Sequence, residues 1–439
     1  MGINFKFNEG QETAIGLAEQ WYKARTQNNY LNRVPQVFEI TGPAGSGKTS
    51  IIYGLVERLG LDIKKDVLFL ALVGQAAFVM RTKGLNAQTI HSAIMAAHDV
   101  GVKDIEGKFV LDERGKAITY TEWTSKSELA LSEIKKMKLV VVDEGSMVTK
   151  ELRRHIERLG LPIIVLGDLD QLPPVFGDPA FLQEPDVRLT KVERQSGDSA
   201  ILQLADMARS REEIPLGVYG DKKEGLVITQ DKVTDDMLRD ADIIICGTNK
   251  MRNVINNRVR EIYGFKGLLP NVGEKIVFRK NNWNAKTLEK IPITNGLQVL
   301  VEKTYYDNFA YKTKSEYDNL FVIDALPNVD GATCIFKQLK MDREYFMQGC
   351  SSDKMSKMGG YSQFSKGEKA EFGYAITCHM AQGSQYKKVL IFEEVLNYQL
   401  HHKWLYTAIT RAVDEVIIVK PKYNTKMPML RKSYNYNNK

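Results

Sequence analysis

The chain has 439 residues, enough for about three domains, and its 43% hydrophobic and 26% charged residues are the proportions of a soluble globular protein. Sixty-one Lys and Arg against 54 Asp and Glu leave a net charge of +7, which suits a polyanionic partner without requiring one. Four scattered cysteines with no C-x-x-C pair argue against a zinc site or redox dithiol, and point to free thiols in a reducing compartment. The opening Met-Gly-Ile-Asn-Phe-Lys has no apolar signal core, and the apolar runs are strand-length, far short of a membrane span. The expectation is a soluble cytoplasmic protein of a bacterial or phage-infected cell.

In chain order, Asn8-Glu9-Gly10-Gln11 opens the first helical pattern. Residues 37–40 then read as a short buried strand. Gly42-Pro43-Ala44-Gly45-Ser46-Gly47-Lys48-Thr49 follows and fits G-x-x-x-x-G-K-[ST], the phosphate-binding loop of nucleoside triphosphatases. The glycines let backbone N–H groups curl around phosphate oxygens with no Cβ in the way. Residues 50–59, beginning at Ser50, form an amphipathic helix whose N-terminus adds partial positive charge there. Lys48 would reach the β- and γ-phosphates of ATP, and the Thr49 hydroxyl would ligate Mg²⁺.

Further strand-like runs at 67–72, 139–142 and 163–166 alternate with helical stretches, the pattern of parallel strands joined by crossovers. From about residue 99 to 123 the alternation breaks. Lys108-Phe109-Val110-Leu111 and Ala117-Ile118-Thr119-Tyr120 flank a turn-like Asp112-Glu113-Arg114-Gly115-Lys116, which predicts an inserted β-hairpin. Val140-Val141-Val142-Asp143-Glu144 is an apolar strand ending in two acids. Behind a phosphate loop, Asp143 would hold the Mg²⁺ shell and Glu144 would orient the attacking water. Gly167-Asp168-Leu169-Asp170-Gln171-Leu172-Pro173-Pro174 follows the next strand; alone it is either a γ-phosphate sensor or a Pro-terminated turn.

A second set of runs, at 243–246, 389–392 and 416–419, predicts a second α/β unit. Inserted in it, from about 273 to 367, are short β-like runs at 276–278, 298–301, 320–323 and 333–336. These suit a small β-barrel, with a Gly-, Ser- and Lys-rich stretch at 349–367. Residues 421–439 form a basic tail carrying tyrosines. It is either a solubilising end or an electrostatic contact for nucleic acid.

The order of motifs resembles superfamily 1 helicases of the RecD/Dda-like subgroup, and the length is similar to the compact Dda-type layout. The phosphate loop, Thr89-Ile90-His91-Ser92, Asp143-Glu144, the Gly167–Pro174 stretch, Glu193-Arg194-Gln195, Cys378-His379-Met380-Ala381-Gln382-Gly383-Ser384 and Tyr406-Thr407-Ala408-Ile409-Thr410-Arg411-Ala412 occur in family order, across residues 8–419. The resemblance implies an α/β fold of two RecA-like P-loop domains with an inserted β-hairpin pin and an inserted SH3-like β-barrel. The first would span 1–190, with the pin at about 99–125, and the second 191–439, with the barrel at about 273–367.

The resemblance also implies site residues. Gln11 matches the glutamine that reads adenine, beside the phosphate-loop residues 42–50. Gln171 matches the coupling glutamine, and Arg194 and Arg411 match two arginine fingers. A guanidinium can meet two of the γ-phosphoryl oxygens over which transition-state charge spreads. Thr89, His91 and His379 match strand-backbone contacts, against the plain alternative of structural side chains. Phe109 or Tyr120 in the hairpin either stacks on a junction base pair or packs the hairpin's own face, and Trp283 carries the same ambiguity. The family's first strand-contacting motif, usually A-P-T-G-R-A-A, here reads Ala71-Leu72-Val73-Gly74-Gln75-Ala76-Ala77, losing a hydroxyl and a guanidinium, so Val73 cannot hydrogen-bond phosphate and weaker or differently placed strand binding is expected. Gly145 also replaces the usual small apolar residue.

The implied activity is an ATP- and Mg²⁺-dependent helicase moving 5′ to 3′ on single-stranded DNA. Its partners would be single-stranded and forked duplex DNA and a single-strand-binding or other replication or recombination protein, with the enzyme acting as a monomer. A translocase that strips proteins or remodels recombination intermediates, a nucleotide-dependent switch, and RNA as the track are the alternatives.

Overall fold

The computed structural model describes residues 6–27, 34–104, 106–110, 119–174, 177–191, 199–305, 320–329, 332–349 and 367–421. Two six-stranded sheets, one five-stranded sheet and two hairpins account for its strands. Among the described residues no helix is long and apolar enough to cross a membrane.

The first sheet is wholly parallel. Its spatial order is Ala87–Thr89, Val67–Ala71, Leu139–Val142, Ile163–Gly167, Val37–Thr41 and Val187–Arg188. Strands such as Val67–Ala71 and Leu139–Val142 are buried along their whole length, because helices cover both faces. Helix Glu9–Thr26 begins with a reciprocal cap, in which the Asn8 side chain accepts from Gln11 N–H and the Gln11 side chain accepts from Asn8 N–H. Its buried stripe of Ala14, Ile15, Ala18, Trp21 and Tyr22 recurs at helical spacing and packs with Ile51, Ile52 and Leu55 of helix Lys48–Arg58. All strands run the same way, so the segments leaving Thr41, Val142 and Gly167 emerge along one edge, where ligands bind in such sheets.

The second sheet runs Ala375–Thr377, Ile243–Cys246, Tyr386–Phe392, Ala412–Lys420, Gly225–Thr229 and Gly217–Tyr219. It is parallel except for the last strand. The five-stranded antiparallel sheet interrupts it, in the order Phe336–Asp342, Leu320–Pro327, Gln298–Thr304, Lys275–Phe278 and Ala370–Phe372. Asp342 N–H donates to Glu368 O at 2.9 Å and Glu368 N–H to Lys340 O at 2.7 Å, an isolated bridge between one outer strand and the residues that lead into the other. Its core is continuous with that of the second sheet, with Ile276, Val299, Phe321 and Phe372 joining Ile244, Ile255 and Val259. Two buried ion pairs reinforce the seam: Arg252 with Glu371 at 2.7 Å, and Arg260 with Glu274 at 2.6 Å. A charge stripped of its partner there would be costly, so the pairs fix how the insert sits on helix Asn249–Ile262.

Three expectations are corrected. The inserted hairpin pairs Met95–Gly101 with Thr119–Ser125, in register from Met95 opposite Ser125 to Gly101 opposite Thr119. Residues 108–110, expected in its first arm, lie outside that pairing. The chain instead doubles back at Asp104, whose carboxylate accepts from Glu106 and Lys108 N–H, and Lys103 bridges to Phe109. Met-Ala-Ala-His-Asp-Val-Gly is a poor strand sequence and is held extended by the β-rich arm opposite. In the five-stranded sheet the run at 333–336 is not a strand. Thr333 and Cys334 N–H groups cap the Glu289 carboxylate, and the strand begins at Phe336. A bulge there, with Gln338 at φ 51°, disrupts the two-residue period that would have revealed it. The sheet also reaches past the expected limit at 367, to Phe372. The expected hairpin turn at 112–116, most of the 349–367 stretch and nearly all of the basic tail lie outside the described residues.

Candidate functional site

The phosphate loop leaves strand Val37–Thr41 and enters helix Lys48–Arg58 with Gly45 at φ 82° and Gly47 at φ 78°, conformations that disfavour a Cβ. A Cβ on Gly47 would also lie 2.4 Å from Gln11 Nε2. No side chain caps the helix start, so its N–H groups remain available to an anion. The Lys48 ammonium donates to the loop's own carbonyls, Gly42 O at 2.7 Å and Pro43 O at 3.0 Å. Ser46 Oγ is buried and has no hydrogen-bond partner among the described residues. Thr49 and Ser50 occupy the first helical turn.

Gln11 is buried, with its carbonyl accepting Asn8 N–H at 3.1 Å and its amide donating to Ser46 O at 3.0 Å. It lines a cavity of about 300 Å³ with Asn8, Ser46, Arg188, Thr190 and Lys191, beside the phosphate loop. A cavity of about 390 Å³ bounded by Gln230, Met251, Glu394 and Lys420 touches none of the motif residues.

Asp143 and Glu144 follow strand Leu139–Val142, and Asp143 Oδ1 accepts Glu144 N–H at 3.0 Å. Burial pushes both carboxyls above their ordinary range. Lys48 pulls both down, and Arg411 pulls Glu144 down from the opposite unit. Glu144 itself is left-handed, at φ 53° and ψ 43°, a conformation costing roughly 1–3 kcal/mol that clusters at functional sites. The next residue has no room for a side chain: a Cβ on Gly145 would lie 2.2 Å from Val165 Cγ1 and 3.2 Å from Leu166 O. That crowding explains the glycine where a small apolar residue was anticipated. Gly145→Ala is expected to destabilise the protein by about 1–3 kcal/mol in urea unfolding. An unchanged midpoint would show that the turn can relax.

Gln171 is buried beside Asp168, 3.5 Å from its carboxylate, and its Oε1 has no hydrogen-bond partner among the described residues. The second unit reaches this segment directly. Tyr406 O–H donates to Asp168 Oδ2 at 2.6 Å and accepts Ala44 N–H at 3.0 Å. Burial first, and then the neighbouring Asp168 carboxylate, hold the Tyr406 phenol protonated, far above its ordinary range. Thr407 Oγ1 accepts Leu172 N–H at 3.0 Å, Gln382 Nε2 donates to Leu172 O at 3.2 Å, and Lys403 Nζ donates to Leu169 O.

Arg411 is buried one turn beyond Tyr406. Its guanidinium donates to Thr407 O at 3.0 Å, Ser384 O at 3.3 Å and Thr410 Oγ1 at 3.1 Å. The bonds of Tyr406 to the phosphate loop and to Asp168, and the pull of Arg411 and Lys48 on Glu144, thus bring phosphate loop, acidic pair, Gln171 and Arg411 together where the two units meet. Arg194 lies outside the described residues.

The expected strand-contact residues are more dispersed. Thr89 is buried and caps helix Ile90–Ile94, its hydroxyl accepting Ser92 N–H and donating to Ser92 Oγ. His91 and His379 are half-buried, and burial lowers the pKa of both. The hairpin base is tied to this region by Lys126 Nζ donating to Ser92 O at 2.6 Å. Phe109 is 55% exposed and its ring lies against Gly101, where a Cβ would come within 2.4 Å. The altered 71–77 motif sits against the other unit. Thr294 Oγ1 donates to Gln75 Oε1, Gly74 packs on Asn281 and Thr294, and Gly383 approaches Ala76 and Val73. Tyr406, Thr407 and Gln382 had no assigned role in the sequence, although they fall inside recognised motifs. The available signal was polar groups at helix positions otherwise filled by core residues.

A family model described as an AAA domain matches residues 24–230, and one described as a UvrD-like helicase C-terminal domain matches residues 372–419. The five-stranded sheet falls in the gap between them. The chain is 26% identical to the uncharacterized protein MJ1519 of Methanocaldococcus jannaschii, over 87% of this chain and 36% of that one. It is 26% identical to the ATP-dependent RecD2 DNA helicase of Deinococcus radiodurans, over 63% of this chain and 35% of that one. It therefore spans about a third of the length of these curated relatives. Among solved structures, Bacteroides Pif1 bound to single-stranded DNA matches with a TM-score of 0.51 and 17% identity, covering 94% of this chain and 92% of that one. Candida albicans Pif1 matches with a TM-score of 0.52 and 15% identity, covering 94% of both chains. The likeness to these structures is one of fold, and the matched models and relatives add a likeness in sequence. In sequence the chain is similar to helicases of the RecD2 and Pif1 type.

Proposed function

We propose that the protein is an ATP-driven motor that moves along single-stranded DNA, 5′ to 3′, and separates duplex strands. The observation that carries this reading is that meeting of the two units. Lys48, Asp143, Glu144 and Gln171 come from one sheet, Arg411 comes from the other, and Arg411 already biases the charge of Glu144 across the gap. A site completed by two units makes hydrolysis depend on their closure. The relative RecD2 is named an ATP-dependent DNA helicase, and Pif1 structures include complexes with single-stranded and forked duplex DNA.

In this reading residues 1–190 and 191–439 are two RecA-like domains. The hairpin at about 95–125 is the pin, and the five-stranded sheet is an SH3-like barrel. The empty-handed donors suit a nucleoside triphosphate: uncapped helix N–H groups, the Ser46 hydroxyl, and a Lys48 that need only exchange two carbonyls for phosphate oxygens. Thr49 Oγ1 and the Asp143 carboxylate are hard oxygen donors that fit Mg²⁺, which supplies charge neutralisation at the phosphates when bound. Glu144 orients the attacking water and accepts its proton. Arg411, with Arg194, meets the charge that develops on the phosphoryl oxygens. Gln11 reads the base from the cavity beside the loop. His91 and His379, one on each unit, grip the strand backbone, and Phe109 meets the duplex junction. The enzyme works as a cytoplasmic monomer beside a single-strand-binding protein.

Steady-state ATPase with no nucleic acid, with oligo-dT and with oligo-U tests this reading. Stimulation by DNA of at least about tenfold is expected, since closure assembles the site. An equal rate under all three conditions would instead favour the nucleotide switch. A second reading keeps the motor but replaces strand separation with protein stripping. It is favoured by Phe109 lying against Gly101 rather than standing free of the hairpin. Shortening the hairpin tip should then leave displacement of a bound protein intact, whereas the helicase reading expects strand separation to be lost.

A further inference from the structure

Backbone segment 168–172 follows strand Ile163–Gly167 of the first sheet, yet it is held by side chains of the second unit. Both peptide groups of Leu172 are taken, the N–H by Thr407 Oγ1 and the carbonyl by Gln382 Nε2. At the other end of the segment the Asp168 carboxylate accepts from Tyr406 O–H, and the same phenol accepts Ala44 N–H from the phosphate loop. All three side chains are at most 2% exposed. Between these anchors lies Gln171, buried, with its carbonyl oxygen lacking a hydrogen-bond partner among the described residues.

The anchors are chained to functional groups on their own unit. Tyr406 and Thr407 lie on helix His401–Ile409, and Thr407 O accepts from the Arg411 guanidinium. Gln382 caps the short helix Cys378–Ala381 that carries His379. Hydrogen bonds near 3 Å weaken steeply with an ångström of displacement, so the contacts make or break together when segment 168–172 moves.

We propose that Tyr406, Thr407 and Gln382 are positioning residues that transmit the state of the γ-phosphate site at Gln171 to the finger helix and to the strand-contacting helix. They touch the segment and not the reacting atoms. The link rests on the motor reading above, and it assigns the coupling to buried hydrogen bonds of three uncharged side chains rather than to the charged groups that meet phosphate.

The test uses the full chain, Tyr406→Phe, Thr407→Val and Thr407→Ser, with oligo-dT as the track. Phenylalanine keeps the ring, valine keeps the shape of threonine, and serine restores the acceptor. Tyr406→Phe and Thr407→Val are each expected to lower the DNA-stimulated kcat about tenfold while moving KM for ATP less than about twofold, and Thr407→Ser to recover at least half of the wild-type kcat. A merely structural role would not separate serine from valine or spare KM. Melting curves establish that each variant is folded, and if one is not, the other position decides. Folded variants that keep the wild-type stimulated kcat, or that lose it with no rescue by serine, would overturn the link. A wild-type ATPase indifferent to DNA would overturn the motor reading itself, and the link with it, which is a different result.

Discussion

Glu144→Gln is expected to bind ATP and to stall, with hydrolysis slowed by about 10²–10⁴-fold and nucleotide affinity equal to or tighter than wild type. Glutamine matches glutamate in size, so the left-handed turn and the tight Gly145 packing against Val165 are kept. It cannot accept a proton from water, so the chemical step loses its base. Burial first, and then the neighbouring Asp143 carboxylate, raise the Glu144 pKa; glutamine removes one carboxylate of that crowded pair, which favours binding of a polyanion. The sign of the pH effect follows from that shift. Wild-type turnover needs Glu144 ionised, so its rate should fall as pH drops through a pKa lying above the ordinary 4.5, a limb absent from the glutamine variant. Single-turnover hydrolysis and binding of a fluorescent ATP analogue check both halves. A rate within about threefold of wild type would remove Glu144 from the chemistry.

The second large effect is expected of Lys48→Ala. The ammonium donates to the phosphate loop's carbonyls at Gly42 and Pro43 and lies close enough to lower both acidic residues' pKa. Removing it leaves the site with two crowded carboxylates and no lysine for the β- and γ-phosphates. Hydrolysis should fall at least about 10²-fold, and here ATP affinity should fall as well. That contrast with Glu144→Gln separates a binding residue from a residue of the chemical step. Retained turnover would mean that the loop does not hold the phosphates.

Much of the site was legible because its parts are local. Each of the phosphate loop, the Asp143-Glu144 pair and the 167–174 stretch occupies a few consecutive residues after an apolar strand, and strand and turn chemistry are written in short windows. The hairpin arms were misplaced for the opposite reason. Residues 95–101 are extended only because residues 119–125 pair with them, and no window of the sequence contains both. The strand at Phe336–Asp342 was hidden by its own bulge. The bonds from Tyr406, Thr407 and Gln382 to the first unit join residues more than 200 positions apart. Their residue types carry no motif that says what they will touch. The altered 71–77 motif read as a lost strand contact, and its neighbours supply the other half of the account: Gln75, Gly74 and Val73 are contacts with the opposite unit.

Strand release from a forked DNA duplex tests the central claim most directly. A labelled fork with a 5′ single-stranded tail, incubated with the full chain, ATP and Mg²⁺, should yield free labelled strand, and Lys48→Ala should yield none. A fork tailed only at its 3′ end should remain paired. No release from either fork, with ATP hydrolysed at the same rate with and without DNA, would contradict the motor and leave a nucleotide-binding protein whose two units meet for another purpose.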